Sequence, residues 1–258
     1  MSGLVGERAA PRPVASGAAL PIVSLLLVAF AGCLAAATAI ALALGFDLLV
    51  PPPVIPETLD LPSRLVAIQP FREARWPFDA ASRLLFVVGF AALALAADPI
   101  ATLAGATRRA PVIRGSILAT GLLGAAGGLL YVGATQIAIT STTCDCGFTT
   151  EEVISRFWAH VMVIGATDWL GYGATAFGAL GLALSATALR AATLPRAFTW
   201  TALAASAALA TGVVVRVLGD PNVGDLVIAV ATGLLLPAWA LMLAAAVRRA
   251  EAHEESAA

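Results

Sequence analysis

The stretch Leu226–Val247, LVIAVATGLLLPAWALMLAAAV, runs for 22 residues without one charged side chain. About 20 predominantly apolar residues suffice for a helix to cross a hydrocarbon core roughly 30 Å thick. Asp225 precedes this run and Arg248-Arg249 close it, as charges close a helix at a membrane surface. Five further runs have the same character: Ala18–Phe46, Leu84–Thr107, Gly115–Ile139, a long stretch within Phe157–Leu189, and Ala197–Leu218. They predict an all-α, polytopic transmembrane bundle of six spans forming one membrane domain over residues 1–258, with no soluble domain. Composition points the same way. The chain is 60% hydrophobic and 12% charged, against about 25% charged residues in a soluble domain. So few charges cannot clothe a water-facing surface, and lipid must be the solvent for much of it.

Arginines flanking the spans set the expected orientation. Arg8 and Arg12 precede the first run, Arg108, Arg109 and Arg114 lie between the second and third, and Arg190 and Arg196 lie between the fourth and fifth. With Arg248 and Arg249 at the end, this predicts both termini on the cytoplasmic side of a bacterial-type inner membrane. The short tails are then residues 1–17 and 248–258. The opposite side holds Arg156 and a first connection, 47–83, whose four arginines are offset by Glu57, Asp60, Glu73 and Asp79. Seven prolines in that connection predict extended backbone, an external loop folded over the bundle as a cap, a lid or a partner surface. In the third run, Gly124 and Gly128 form a small-xxx-small pair that predicts close packing and a central position.

Phe157–Leu189 is too long for one upright span, at about 50 Å. Counting back from Arg190 places the span from about Leu170, so residues 151–169 are expected to lie at the interface or to extend the helix outward. Thr149-Thr150-Glu151-Glu152 reads as a capping box opening that segment, and Gly171 and Gly173 are the expected bend. Near the N-terminus, Phe30-Ala31-Gly32-Cys33 resembles a lipoprotein cleavage site, but the apolar run continues to Phe46, which predicts an uncleaved first helix.

Cys144-Asp145-Cys146 is the most conspicuous short motif. On an oxidising outer face its thiols suit a short-range disulfide, a redox pair, or, with Asp145, a soft-metal site. Ionisable groups at membrane depth are costly and mark candidate sites. Asp168, Arg216, Asp220 and Asp225, with Gln136, fall at similar outer depth and could line a polar pocket with Trp169 and Tyr172. The alternative is a plain ion pair of Arg216 with Asp220 or Asp168. His160 is expected to be a packed or interfacial histidine. Asp98, just before Pro99, is expected to cap a new helical turn after a kink, the alternative being a proton or ion site.

Several chemistries have no residues to carry them. The basic residues are all arginine, so a lysine Schiff base is excluded, and because His253 lies in the polar tail, His160 and His253 cannot build a bis-histidine haem inside the bundle. No nucleotide-binding, zincin or serine-hydrolase motif is present, and a net charge of −1 offers no field for nucleic acid. No cofactor is expected. From Leu170 onward, a Gly-rich helix (Phe177-Gly178, Gly181), Leu194-Pro195-Arg196 with Trp200, and two apolar helices ending in Trp239 and Arg248-Arg249 resemble a family of bacterial multi-pass membrane proteins known only as a domain of unknown function. The resemblance covers the last third of the chain and implies a family without a mechanism. The expected partners are the bilayer and other membrane subunits, and the expected role is a non-enzymatic accessory or sensory subunit. The alternatives are a small-molecule or ion permease, which needs the outer polar cluster to continue toward Asp98, and a thiol redox protein using Cys144 and Cys146.

Overall fold

A computed structural model describes residues 20–56, 58–105, 107–143, 149–189 and 194–257. The described chain is helical throughout, with helices α1 (Leu20–Gly45), α2 (Leu61–Leu95), α3 (Ala97–Leu103), α4 (Ala110–Thr143), α5 (Thr150–Leu189), α6 (Arg196–Leu218), α7 (Pro221–Val230) and α8 (Leu236–Ala257). Six stretches are long and apolar enough to span a membrane, the sixth formed by α7 and α8 joined through a π-helical turn, Ala231–Leu235. The protein is a polytopic bundle, as its hydropathy predicts. Its outward faces are apolar: Leu25, Ile137, Met162 and Leu234 are each more than 60% exposed. Water would not tolerate such a surface, whereas hydrocarbon does.

Lipid tails are as apolar as leucine, so helices associate through close packing and hydrogen bonds rather than hydrophobic exclusion. The packing order is α4 against α2 and α5, α1 against α2 and α8, and α5 against α6. Glycine makes the α2–α4 seam possible. A Cβ at Gly121 would lie 2.6 Å from the Phe90 carbonyl oxygen, and one at Gly128 would lie 2.6 Å from Val87 Cγ2. Gly124 likewise accommodates the Phe90 ring, so the small-xxx-small pair marks close packing as expected. The expected central position is corrected: α4 packs against α2, α3 and α5 and, among the described residues, not against α1, α6, α7 or α8. Ser82 Oγ donates to the Ala37 carbonyl across α1–α2 (2.9 Å), and Ser206 Oγ to the Ala179 carbonyl across α5–α6 (2.7 Å).

Six traversals bring α1's start and α8's end together, where Arg248 donates to Ser24 (3.3 Å). At this end, the termini end, Arg109, just before α4, also donates to Thr187 of α5 (2.9 Å). The opposite, first-loop end carries the α1–α2, α4–α5 and α6–α7 connections. Here α2, α4 and α5 are 35, 34 and 40 residues long. Exposed Trp169 lies 20 residues from Leu189, about 30 Å along α5. Exposed Trp200 lies in the first turns of α6 at the termini end, so the two indoles face outward near opposite ends of the span, the usual place of an aromatic belt. The excess length of the three long helices therefore projects beyond the slab on the first-loop side.

Three further expectations are corrected. The proline-rich connection is not a loop through residue 83, because α2 is helical from Leu61. Asp60 caps the helix by accepting from the Ser63 amide (3.0 Å), and Pro62 sits in the first turn, where no amide donor is lost. Pro70 and Pro77 lie inside α2; each removes one backbone bond, a cost that packing against neighbouring helices offsets. Secondly, α5 is one uninterrupted helix through Gly171 and Gly173, so residues 151–169 extend it. Its capping box forms as expected, with Thr149 N donating to Glu152 (2.8 Å) and Glu152 N to Thr149 Oγ1 (3.3 Å). Thirdly, the chain does break before Pro99, whose missing amide would have bonded Leu95, but Asp98 makes no cap. Its carboxylate instead pairs with Arg114, and its carbonyl accepts from Thr102 Oγ1 (2.9 Å).

Candidate functional site

The termini half of the bundle is solid. Trp239, Phe30, Phe198, Leu27, Ile100 and Leu243 are fully buried there, and the Phe198 and Trp239 rings lie 6.2 Å apart. The first-loop half is hollow and holds two chambers that share a wall.

The deeper chamber, about 380 Å³, lies among α2, α4, α5, α6 and α7. Arg216 dominates it. Gly224 makes the α6–α7 hairpin tight enough for this: a Cβ there would sit 2.5 Å from Arg216 N. The next residue, Asp225, is thereby brought into an ion pair with the Arg216 guanidinium. From α5, Asp168 approaches the same guanidinium (3.5 Å), and the Tyr172 hydroxyl accepts from Arg216 Nε (2.7 Å). Two carboxylates and a phenol thus surround one cation, satisfying its donors on several sides. Asp168 and Asp225 remain half exposed.

The outer chamber, about 410 Å³, lies among α1, α2, α4 and α5. Its charged residues come from α2 at positions 72, 75, 79 and 83, spacings of three and four that put Arg72, Arg75, Asp79 and Arg83 on one helical face. Arg75 reaches Asp47 (3.9 Å) and Asp79 (3.6 Å). Among the described residues, neither Arg72 nor Arg83 has a carboxylate within 4.0 Å. The Arg83 guanidinium lies over the Tyr131 ring, 4.2 Å from its centroid. Arg83 and Tyr131 line both chambers and form the wall between them. Across the outer chamber, Thr135 Oγ1 and His160 Nδ1 are buried without a hydrogen-bond partner.

Below the deeper chamber the polarity ends. A space of about 40 Å³ follows, lined by Leu93, Leu182, Leu209, Leu236 and Trp239 with three threonines and no ionisable group. Asp98 lies away from it, exposed in an open cleft with Arg114 at the termini end.

The sequence-predicted pocket therefore assembles in part. Asp168, Arg216 and Asp225 meet, with Tyr172. Asp220 does not join them: it caps α7, accepting from the amides of Asn222 (2.8 Å) and Val223 (3.4 Å). The expected Arg216–Asp220 pair is replaced by Arg216–Asp225. Gln136 is exposed on α4 and is not among the residues lining either chamber. Cys144 and Cys146 lie outside the described residues. No group of three metal-ligating side chains occurs among the described residues. Sequence reasoning missed the α2 stripe, because the prolines were taken to end the helix. The signal that would have found it is Asp60-Leu61-Pro62-Ser63, a cap followed by an early proline, with arginines then recurring at helical spacing.

Fold, lipid-facing surface and paired charges at the edge of the slab define a multi-pass integral membrane protein. No family model matches the chain, and no curated protein or solved structure matches it either.

Proposed function

We propose that the protein is a non-enzymatic accessory or sensory subunit of a bacterial-type cytoplasmic membrane, with both termini inside. Its double chamber opens toward the outside and receives a small ligand, whose occupancy is passed to partner subunits through the bundle. One observation carries this function over that of a permease: the polar chambers end on the apolar floor around Leu236 and Trp239. Ions and polar solutes need either water or ionisable groups to cross at that depth, and the floor is a space of only about 40 Å³ with no ionisable group lining it. Both chambers have the size of ordinary small-molecule sites.

Thiol accessibility tests this directly. In a background with Cys33, Cys144 and Cys146 replaced by serine, single cysteines are placed at Thr135 and Thr167 in the chambers and at Thr120 and Leu236 in the floor. A charged methanethiosulfonate added to the first-loop side of sealed vesicles should modify Thr135→Cys and Thr167→Cys at least tenfold faster than the floor pair. Equal rates at Thr120→Cys or Leu236→Cys would mean a water path through the bundle, and the permease would replace the receptor.

A further inference from the structure

We infer that the outer chamber is a binding site for an oxyanion, a phosphate- or carboxylate-bearing molecule held between Arg72 and Arg83; this rests on the ligand-binding function proposed above. The chamber holds three arginines against one aspartate. Arg75 is committed to Asp47 and Asp79, Arg83 shares only the longer-range attraction of Asp79, and Arg72 has no carboxylate within 4.0 Å among the described residues. Two guanidinium charges facing one chamber repel each other, and an anion between them relieves that repulsion. Arg83 is poised for such a partner. A guanidinium lying on an aromatic face uses its flat side there and keeps the N–H edge for a bidentate acceptor. The opposite wall offers Thr135 Oγ1 and His160 Nδ1, both without a partner. The Thr135 hydroxyl is a donor to the same class of ligand, whereas the His160 ring already meets the Ala134 backbone and presents Nδ1 as the acceptor nitrogen of the neutral imidazole.

Depth favours the same chemistry. Arg83 shares the wall of the deeper chamber with Asp168 and Arg216, at the first-loop edge of the slab, and Arg72 lies 11 residues, about 17 Å, farther out along α2. Arg83 is therefore at headgroup level and Arg72 on its aqueous side. Two sources then supply the anion: the phosphate of an anionic lipid entering from the bilayer, or a free phosphate or carboxylate entering from water. Both use the same forked donors.

The test uses the full chain and two probes. In the first arm, protein reconstituted in 1:1 phosphatidylcholine and phosphatidylglycerol is extracted in mild non-ionic detergent, and retained lipid is counted by native mass spectrometry. In the second, protein in pure phosphatidylcholine nanodiscs is titrated with inorganic phosphate and with succinate, followed by tryptophan fluorescence, since Trp76 lines the chamber. One saturable site for phosphatidylglycerol, or for a free anion, is expected, and whichever arm responds identifies the source. Arg72→Gln/Arg83→Gln should weaken it at least tenfold, whereas Arg114→Gln at the termini end should leave it unchanged. Should the glutamine pair fail to fold, Arg72→Lys/Arg83→Lys keeps both charges but loses the forks and should bind several-fold more weakly. No saturable site in either arm, or binding unchanged in the variant that folds, overturns the inference. Failure here with inert floor cysteines removes the anion alone; reactive floor cysteines with intact anion binding remove the sealed floor alone.

Discussion

The two halves of this bundle are built from the same helices and solve opposite problems. At the termini end, large side chains such as Trp239 and Phe198 pack in one core with alanines at Ala202, Ala205 and Ala240, and among the described residues nothing ionisable is buried. At the first-loop end, α2, α4 and α5 continue past the hydrocarbon slab and carry guanidinium groups around open space. Six helices packed throughout like the termini half would make an inert plug, and six helices spaced throughout like the first-loop half would not hold together. One half supplies cohesion, and the other is free to be hollow.

The sharpest way to break that division is Trp239→Ala. Removing a fully buried indole against Phe198 should cost about 3–5 kcal/mol, read as a large fall in thermal stability in detergent. A small effect, below about 1 kcal/mol, would mean that cohesion lies elsewhere.

A middle effect is expected in the hollow half. Arg216→Gln leaves Asp168 and Asp225 facing each other without their cation. Because both carboxylates are half exposed, the cost should be about 1–2 kcal/mol, between that of a surface pair and a buried one. Asp168→Asn with Arg216→Gln should restore only part of the loss, since Asp225 is still stranded; adding Asp225→Asn should restore the rest. Full recovery in the double variant would show that Asp168, and not Asp225, is the principal partner of Arg216.

The smallest effect concerns the cap that starts α2. Hydrogen bonds from the Ser63 side chain and amide hold the Asp60 carboxyl below its ordinary value of 3.8. A folded pKa depressed in this way stabilises the cap above 3.8, and the contribution is lost as pH falls below it through the folded value. Hydrogen exchange, corrected for its intrinsic pH dependence, should therefore show fraying of the amides from Ser63 onward only in that acid range. Asp60→Asn should make the same amides insensitive to pH, and an unchanged profile in that variant would assign the titration to another group.

Much of the fold was legible because hydropathy reports solvent directly. The six spans, the close α2–α4 seam at Gly124 and Gly128, and the Thr149–Glu152 capping box all follow from local sequence. What was not legible depends on tertiary context. Pro70 and Pro77 look like helix breakers, yet neighbouring helices hold α2 together through them. Asp98, Asp220 and Asp225 are each a carboxylate near a helix start, and sequence cannot say which one caps and which one pairs. Gly224 decides it for the last two, because the close approach of α7 to α6 fixes which carboxylate reaches Arg216. Of the candidate site, Asp168, Arg216 and Asp225 were found in advance, whereas Arg72, Arg83 and His160 came together only once α2 was known to be a helix.

The π turn at Ala231–Leu235 gives the sixth span two phases. One extra residue in a turn rotates everything beyond it by about 100° relative to a continuous α-helix. Before the turn, the span is clocked by Asp225 and Ile228 facing the deeper chamber; beyond it, by Trp239 facing Phe198. At the joint, Gly233 presses on α1, where a Cβ would lie 2.6 Å from Thr38 Cγ2. The turn therefore works as a gear between the two halves, letting a single stretch of chain keep time with a charged cavity at one end and a solid core at the other.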